Sequence, residues 1–429
     1  MSVEQLYSDI VVVGGGMAGV VSAVAAARKG SNVILIEKGS CLGGNATAGM
    51  LGEINGAYHN GRLIVTNIGK EIIASMYDNC AIAYIKDKPM TSNPDILVDR
   101  LEYNSEYLKI VLDDLIIKEK IKVFFCSTIK EIKYEHGSVR IILANPYEEI
   151  IICSRILIDS TGNSECFFML KEKTLTTDRS KIQAVSILFK LGGVKAEELS
   201  NMDSHEMQKI IQEGMDKSVL PAKLLSIVRI PHTNDIVINC TRCCGINHES
   251  IEDVSCSLIN IRQQIKKIIP FIQNNVPGCK KAYLSSIAAS LGVRDRRRIE
   301  GIYELTGEDI INCVKFEDSV AVGSYPIDIH SSSDKNNQVK FIKINSDGMY
   351  YIPYRSMLAK NTDYAIANGK CISADDIAFG GIRVIGTIIN IATAAGIAAS
   401  LAVLHKTGLK NVDISELKYF LKREGAFGI

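Results

Sequence analysis

The sequence predicts an α/β fold: a Rossmann-like domain on a central parallel sheet with an inserted antiparallel meander, and an α+β domain beside it. Three observations lead there. Residues 8–37 read as strand, glycine turn, helix and second strand; residues 123–153 break into short β-like runs separated by polar turns; and residues 166–344 mix strand and helix patterns without a second glycine fingerprint.

The first unit reads S-D-I-V-V-V-G-G-G-M-A-G-V-V-S-A-V-A-A-A-R-K-G-S-N-V-I-L-I-E. Its apolar run, residues 10–13, suits a strand buried on both faces. Gly14 permits the tight turn, Gly16 lets backbone N–H groups approach a pyrophosphate, and Gly19 lets the helix press on the strand. Met17 and Ala18 open the helix, at the positive end where a dianion is favoured. A second apolar strand, residues 33–36, ends in Glu37, at the distance where a carboxylate accepts hydrogen bonds from an adenosine ribose. A glycine triplet alone also marks ordinary turns. With strand, helix, second strand and terminal acid in register, the unit reads as a grip for an adenine dinucleotide, and the acid disfavours a 2′-phosphate on that ribose.

The loop K-G-S-C-L-G-G-N-A-T-A-G-M, residues 38–50, follows the second strand at the edge where ligands lie in doubly wound sheets. Lys38, Gly43, Gly44 and Asn45 would run along the dinucleotide, although the same composition suits a plain surface loop. Leu97, Leu101, Leu108, Leu112 and Leu115 recur at helical spacing and predict one amphipathic helix ending near Lys120. Runs at 123–125, 129–134, 139–143 and 150–153, with turns at His136-Gly137 and Asn145-Pro146, predict the meander. The sheet resumes at 156–158, and D-S-T-G then puts Thr161 and Gly162 at another strand-to-glycine turn that can meet the same dinucleotide.

Beyond it, strand-like runs at 184–191 and 236–239 and a helical run at 251–269 mark a substrate-side domain. The chain returns with M-Y-Y-I-P-Y-R, with G-K-C-I-S-A-D-D carrying Asp375 and Asp376, and with an apolar helix whose N-terminus near Gly386 and Thr387 would offer its positive end to a ligand. The predicted organisation is 1–165 and 345–429 for the cofactor and 166–344 for the substrate.

A chain of 429 residues exceeds what one core serves, which agrees with two domains. A net charge of +1 with 23% charged residues gives no general polyanion surface, so nucleic acid and anionic membrane are excluded as partners and a small molecule is expected. Twelve scattered cysteines without framework spacing read as reduced thiols of a cytoplasmic protein, and no secretion signal opens the sequence. Residues 384–404 hold no charge over a bilayer-spanning length; their Ala, Gly, Ser and Thr content and Asn390 point instead to a helix buried in an α/β core. Oligomeric state leaves no signature.

Several segments jointly resemble FAD-dependent oxidoreductases of the glutathione-reductase structural type, in particular a bacterial family of that type. They are the glycine fingerprint, C-L-G-G-N-A-T-A-G, I-D-S-T-G, L-G-V-R-D-R-R-R-I-E-G, G-S-Y-P-I-D-I-H, Y-I-P-Y-R-S, and G-K-C-I-S-A followed by G-G-I-R-V, spread over most of the chain. The resemblance implies a noncovalent FAD with its adenosine end on the N-terminal unit and its flavin end near the return segment. Departures exist. The family often has His-Glu after I-S-A and Met-Pro-Thr after R-V, where this chain has Asp376-Ile377 and Ile385-Gly386-Thr387, and N-C-T-R-C-C replaces the common N-M-T-R.

The disulfide-reductase cysteine positions of the same structural type fall at Ala46 and Leu51, and no His for covalent flavin attachment lies between Cys41 and Tyr58. Cys240, Cys243 and Cys244 could form a redox pair or part of a metal site; with only His248 nearby they make no convincing zinc set, and unreactive thiols with no metal are expected. Arg294, Arg296, Arg297 and Arg298 read as structural ion pairing, or as a cation near an acidic substrate or the flavin. His330 closes G-S-Y-P-I-D-I-H and precedes a polar stretch, 331–334, so it is expected at a loop mouth. As a catalytic residue it would take a substrate proton while hydride leaves for the flavin; His59 is the second candidate base and Arg383 an orienting group. The predicted function is hydride transfer between a small-molecule substrate and flavin N5. The alternatives are an FAD-dependent monooxygenase or halogenase, and a non-redox protein with structural FAD.

Overall fold

Among the described residues seven strands form the main sheet: β1 (Glu4–Val13), β2 (Val33–Ile36), β3 (Lys122–Phe124), β4 (Thr128–Glu135), β5 (Ser138–Ala144), β6 (Glu149–Asp159) and β7 (Ala365–Ala367). The computed structural model describes residues 4–90, 93–145, 147–178, 182–330, 339–345 and 348–429. The strand order is β3-β2-β1-β6-β5-β4, with β7 also beside β6. β1 pairs in parallel with β2 and β6, β2 with β3, and β6 with β7, so the carboxyl ends of these strands meet at one edge. Ile10, Val11, Val12 and Val13 are buried, as a central strand covered on both faces requires.

β6 is longer than its sequence pattern indicates. Residues 150–153 and 156–158, read separately as meander and sheet, are one strand: its first half pairs antiparallel with β5, and its end pairs in parallel with β7. The polar Ser154 between them is buried and bonds the Ile156 carbonyl at 3.1 Å, so the strand runs on through it. The run at 123–125 also changes place, because β3 extends the parallel sheet rather than the meander. Leu97 and Leu101 do not belong to a helix. They lie on the strand Asn93–Tyr103, and the helix is Ser105–Lys118, started by Asn104, whose side chain accepts from the Glu106 N–H. That N-cap decides the boundary, which the leucine spacing alone crosses.

Two helices cover one another over the sheet: α1 (Met17–Arg28) and α2 (Ile385–Leu404). Their small residues allow close approach; a Cβ on Gly396 would lie 2.3 Å from the Ser22 carbonyl oxygen and 2.8 Å from Ala25 Cβ. The polar groups of α2 are satisfied inside the protein. Asn390 donates to the Ile64 and Val322 carbonyls at 3.2 and 3.0 Å and accepts from the Thr66 N–H, and Thr393 bonds Thr66 at 2.8 Å. The charge-free run is thus a core helix, 83% buried over its most apolar window.

A second sheet, antiparallel, takes the order Ser226–Arg229, Ile236–Asn239, Phe189–Gly192, Tyr283–Ile287. The helix Ile251–Asn275 contributes Ile261, Ile265, Ile268 and Ile272 to its core, a spacing that places them on one face. This core spans Val185 to Ala288 and includes Met50, whereas Ile299, Leu305, Ile310 and Ile327 pack with the main sheet.

Gly396→Val should lower stability by about 1–3 kcal/mol or more, since the added methyls meet backbone that cannot turn away. Thermal unfolding of the purified variant measures it, and a melting temperature equal to the parent's would contradict the α1–α2 contact.

Candidate active site

At the carboxyl edge of the sheet the chain turns at Gly14, φ +98°, where a Cβ would lie 2.5 Å from the Ser160 carbonyl oxygen. Gly19 is tighter still, its Cβ position 1.8 Å from the Gly14 oxygen, so only hydrogen fits between helix and turn. Gly16 differs from both: nothing lies within 4 Å of its Cβ position, and as the residue before α1 it has no side chain capping the helix. The first N–H groups of α1, including those of Met17 and Ala18, therefore lack the partners a capped helix would give them. Open space, uncapped donors and a positive helix end fit the diphosphate of a dinucleotide.

Glu37 braces this turn. One carboxylate oxygen accepts from Gly15 N–H and the other from Gly39 N–H, each at 2.6 Å, and the remaining lone pairs can still accept from ribose hydroxyls. The following loop runs along the turn, since Gly43 N–H donates to the Gly15 carbonyl at 2.8 Å and a Cβ on Gly44 would lie 3.2 Å from Gly16 Cα. Lys38 reaches Glu165 at 3.7 Å. At the end of β6, Asp159 accepts from Thr161 N–H and hydroxyl at 3.0 and 2.7 Å; burial pushes its carboxyl up to about 6. Gly162, φ +74°, packs under Lys370, whose Cε is 2.9 Å from the glycine's Cβ position.

From this edge an open cleft leads towards the second sheet, lined by Asn45 from the glycine-rich loop and by Arg294, Tyr325, Asp328, His330, Lys370 and Arg383. Asp328 and His330 stand two apart on the strand Ile327–His330, so both side chains face the cleft. His330 Nε2 lies 3.2 Å from the Asp328 carboxylate. Arg383 donates to the Asp328 carbonyl at 2.9 Å and stands 3.6 Å from its carboxylate. Burial pushes the His330 imidazole down to about 4, helped by Arg294 and Arg383 and opposed by Asp328. Burial would raise the Asp328 carboxyl, yet His330, Arg383 and Arg294 outweigh it and hold it at about 2. The pair at neutral pH is a carboxylate beside a neutral imidazole, which can accept a proton.

The structure brings His330 and Arg383 together and puts His59 elsewhere. His59 lines a separate open cleft with Tyr58, Asp87 and Asp99, and Val98 and Tyr325 are shared by the two. His330 is 8% exposed at the end of its strand; the polar stretch 331–334 lies outside the described residues. Gly14, Gly16, Met17, Ala18, Gly19, Glu37, Gly43, Gly44, Thr161 and Gly162 gather at the sheet edge. Asp375 and Asp376 use their carboxylates on protein partners, Asp375 capping the helix Asp376–Ile382 and Asp376 meeting Thr177 and Arg298 at 2.8 and 2.7 Å. Gly386 and Thr387 are buried, with Gly386 packed on the Gly56 backbone, while Val384 and Ile385 just before them line the cleft.

The arginine cluster divides. Arg297 pairs with Glu249 and covers Phe168, and Arg298 pairs with Asp376 and Asp295, whereas Arg294 reaches the cleft. Cys240 is buried, Cys243 half-buried and Cys244 exposed, and none of them lines the cleft. Sequence reasoning passed over Asp328 and Lys370. The alternation of I-D-I-H could have found Asp328; nothing local marks Lys370, which burial pushes down to about 8.

No curated protein matches the chain. Among solved structures it is similar to a geranylgeranyl bacteriochlorophyll reductase-like protein from Thermoplasma acidophilum, with 13% identity over 98% of this chain and 84% of that one and a TM-score of 0.52. It is also similar to p-nitrophenol 4-monooxygenase PnpA from Pseudomonas putida DLL-E4, with 10% identity over 98% and 87% and a TM-score of 0.53. At these identities the likeness is one of fold. The family model described as FAD dependent oxidoreductase matches residues 9–421, nearly the whole α/β body and both sides of the cleft. The chain accordingly belongs to the FAD-dependent oxidoreductase family, and it is a flavin-dependent oxidoreductase with FAD as its cofactor.

Proposed function

We propose that the enzyme moves a hydride between a small-molecule substrate in the cleft and N5 of FAD, with His330 exchanging the accompanying proton. The observation that carries this reading is the His330–Asp328 pair, at 3.2 Å, in a cleft whose wall includes Asn45 of the glycine-rich loop. Bound FAD would supply two-electron chemistry, taking up or returning the hydride. The uncapped start of α1 at Gly16, Met17 and Ala18 would hold the diphosphate, and Glu37 the adenosine ribose. Gly43, Gly44, Thr161 and Gly162 would let backbone pass close to the cofactor. Asp328 holds the imidazole with Nε2–H as donor, which leaves Nδ1 to accept a proton. Arg383 fixes the Asp328 backbone and orients the pair.

The three-stranded antiparallel segment β4-β5-β6 leading back into the parallel sheet supports the glutathione-reductase structural type. We divide the chain functionally into a cofactor part, 1–165 with 345–429, and a substrate part, 166–344.

The experiment is anaerobic: substrates are screened for bleaching of the bound flavin. Bleaching without oxygen supports hydride transfer, whereas product formed only with oxygen, bearing a new hydroxyl or halogen, would assign the chemistry to a monooxygenase or halogenase instead. His330→Ala should slow substrate-driven flavin reduction about 10²–10⁴-fold, the usual worth of general acid–base catalysis, with FAD content unchanged. Because the folded pKa near 4 lies below the ordinary 6.5, the neutral base is present above both values. The reduction rate should therefore hold from pH 8 to 5 and fall only as pH drops through about 4. The same depression makes His330 a source of stability that is complete above pH 6.5 and lost as pH falls through about 4. A rate that already halves near pH 6.5 would remove His330 from the mechanism.

Gly16→Val should give a folded protein with little FAD, because the added side chain enters space that no protein atom uses. Full flavin content by absorbance after denaturation would place the diphosphate elsewhere.

A further inference from the structure

Among the described residues four cations line the cleft, Arg100, Arg294, Lys370 and Arg383, against two carboxylates, Glu53 and Asp328. Arg100 is already neutralised, with Glu53 at 2.9 Å and Glu102 at 2.5 Å. Asp328 must serve both His330 and Arg383. Arg294 donates to the Ala184 carbonyl at 2.8 Å and the Ser186 hydroxyl at 3.0 Å, and Lys370 to the Val293 and Arg294 carbonyls at 2.7 and 3.2 Å. Among the described residues neither has a carboxylate partner in hydrogen-bond range. Arg383 is nine-tenths buried, and its Nη1 is enclosed without a hydrogen-bond partner among the described residues. Leaving a buried guanidinium donor unpaired is costly unless a ligand completes it.

Among the described residues the cleft therefore holds more positive charge than its acids balance. Burial first, and then the repulsion of Arg383, push the Arg294 guanidinium down to about 9, against the opposing charge of Asp328. The turn that fits the diphosphate is not part of this cluster, since neither Gly14 nor Gly16 lines the cleft. Between the cations the walls are apolar, with Leu51, Val98, Leu188, Leu224, Val384 and Ile385.

We propose that the substrate is a carboxylate on an apolar body, its carboxylate held by Arg383 and Arg294 and its body by the aliphatic walls. A planar guanidinium matches a carboxylate, whose two oxygens can each accept. This rests on the reading of the cleft as the substrate site. It adds a division of labour: Arg383 and Arg294 anchor the anion, and His330 faces the carbon that is oxidised or reduced.

The test uses the FAD-loaded protein and isothermal calorimetry with benzoate and its uncharged counterpart benzamide, neither of which needs to turn over. Benzoate should bind at least tenfold tighter than benzamide. The preference should disappear in Arg383→Gln, and in Arg294→Gln as a second variant, with flavin content and melting temperature showing that each is folded. Arg383→Lys should keep part of it. Equal binding of the two probes, no benzoate binding, tighter binding of inorganic phosphate, or a preference that survives both glutamine variants would overturn the proposal. Calorimetry also separates it from the hydride reading: benzoate selectivity with undiminished flavin reduction in His330→Ala would leave the carboxylate site standing and remove the proposed base.

Discussion

The site depends on one steric constraint, the absence of a side chain at Gly19. With the Gly14 oxygen only 1.8 Å from where its Cβ would be, helix α1 sits directly on the turn that ends β1. That contact sets where the helix begins, hence where its unpaired N–H groups point. Gly14 applies the same constraint sideways, bringing the turn within contact of Ser160 at the end of β6. Two strand ends and a helix start are thereby locked into one surface, and the open position at Gly16 is the gap left in it.

The return segment completes that surface rather than decorating it. Asn368, just after β7, donates to the Ala18 carbonyl and the Ser160 hydroxyl, both at 2.9 Å, tying helix α1, β6 and β7 together. Its own N–H bonds the Asp159 carbonyl at 3.0 Å. Gly369 then turns with φ +63°, its Cβ position 2.8 Å from Ala18 Cβ, and sends Lys370 over Gly162. Helix α2 follows, anchored on α1 by small residues. The last part of the chain thereby brings Lys370, Arg383, Val384 and Ile385 to a cleft that Asn45 and Gly49 of the glycine-rich loop also line.

How far this was legible in the sequence varies with the range of the interaction. The glycine turn, Glu37 and the Ala-rich helix act within some 30 residues of one another in a single β-α-β unit, and local pattern conveys them well. Leu97 and Leu101 mislead because a spacing of four is compatible with a helix, while the strand that holds them is fixed by pairing with Ile82–Met90. β6 misleads for a related reason: its two halves have different neighbours, and neighbours are not written in the strand itself. His330 and Arg383 were individually visible as polar residues in motif-rich stretches. Their meeting at Asp328 comes from the packing of the helix Asp376–Ile382 on the strand Ile327–His330, a tertiary fact. His59 was the second candidate base by residue type, and in the structure it lines another cleft, which shares Val98 and Tyr325 with the first.

Asp328 shows why the chemistry and the charge balance of the cleft are linked. A carboxylate that fixes the tautomer of a neighbouring histidine and also faces an arginine has one negative charge for two positive demands. At neutral pH His330 is uncharged, so the charge of Asp328 is available to Arg383. When His330 takes up a proton, the same carboxylate must also stabilise an imidazolium, and the balance around Arg383 becomes more positive by one unit. An anion on Arg383 and Arg294 offsets that change directly and makes proton uptake by His330 easier than in the empty cleft. Burial makes the coupling strong, because the same exclusion of water that depresses the histidine also removes the solvent that would otherwise screen the three groups from one another.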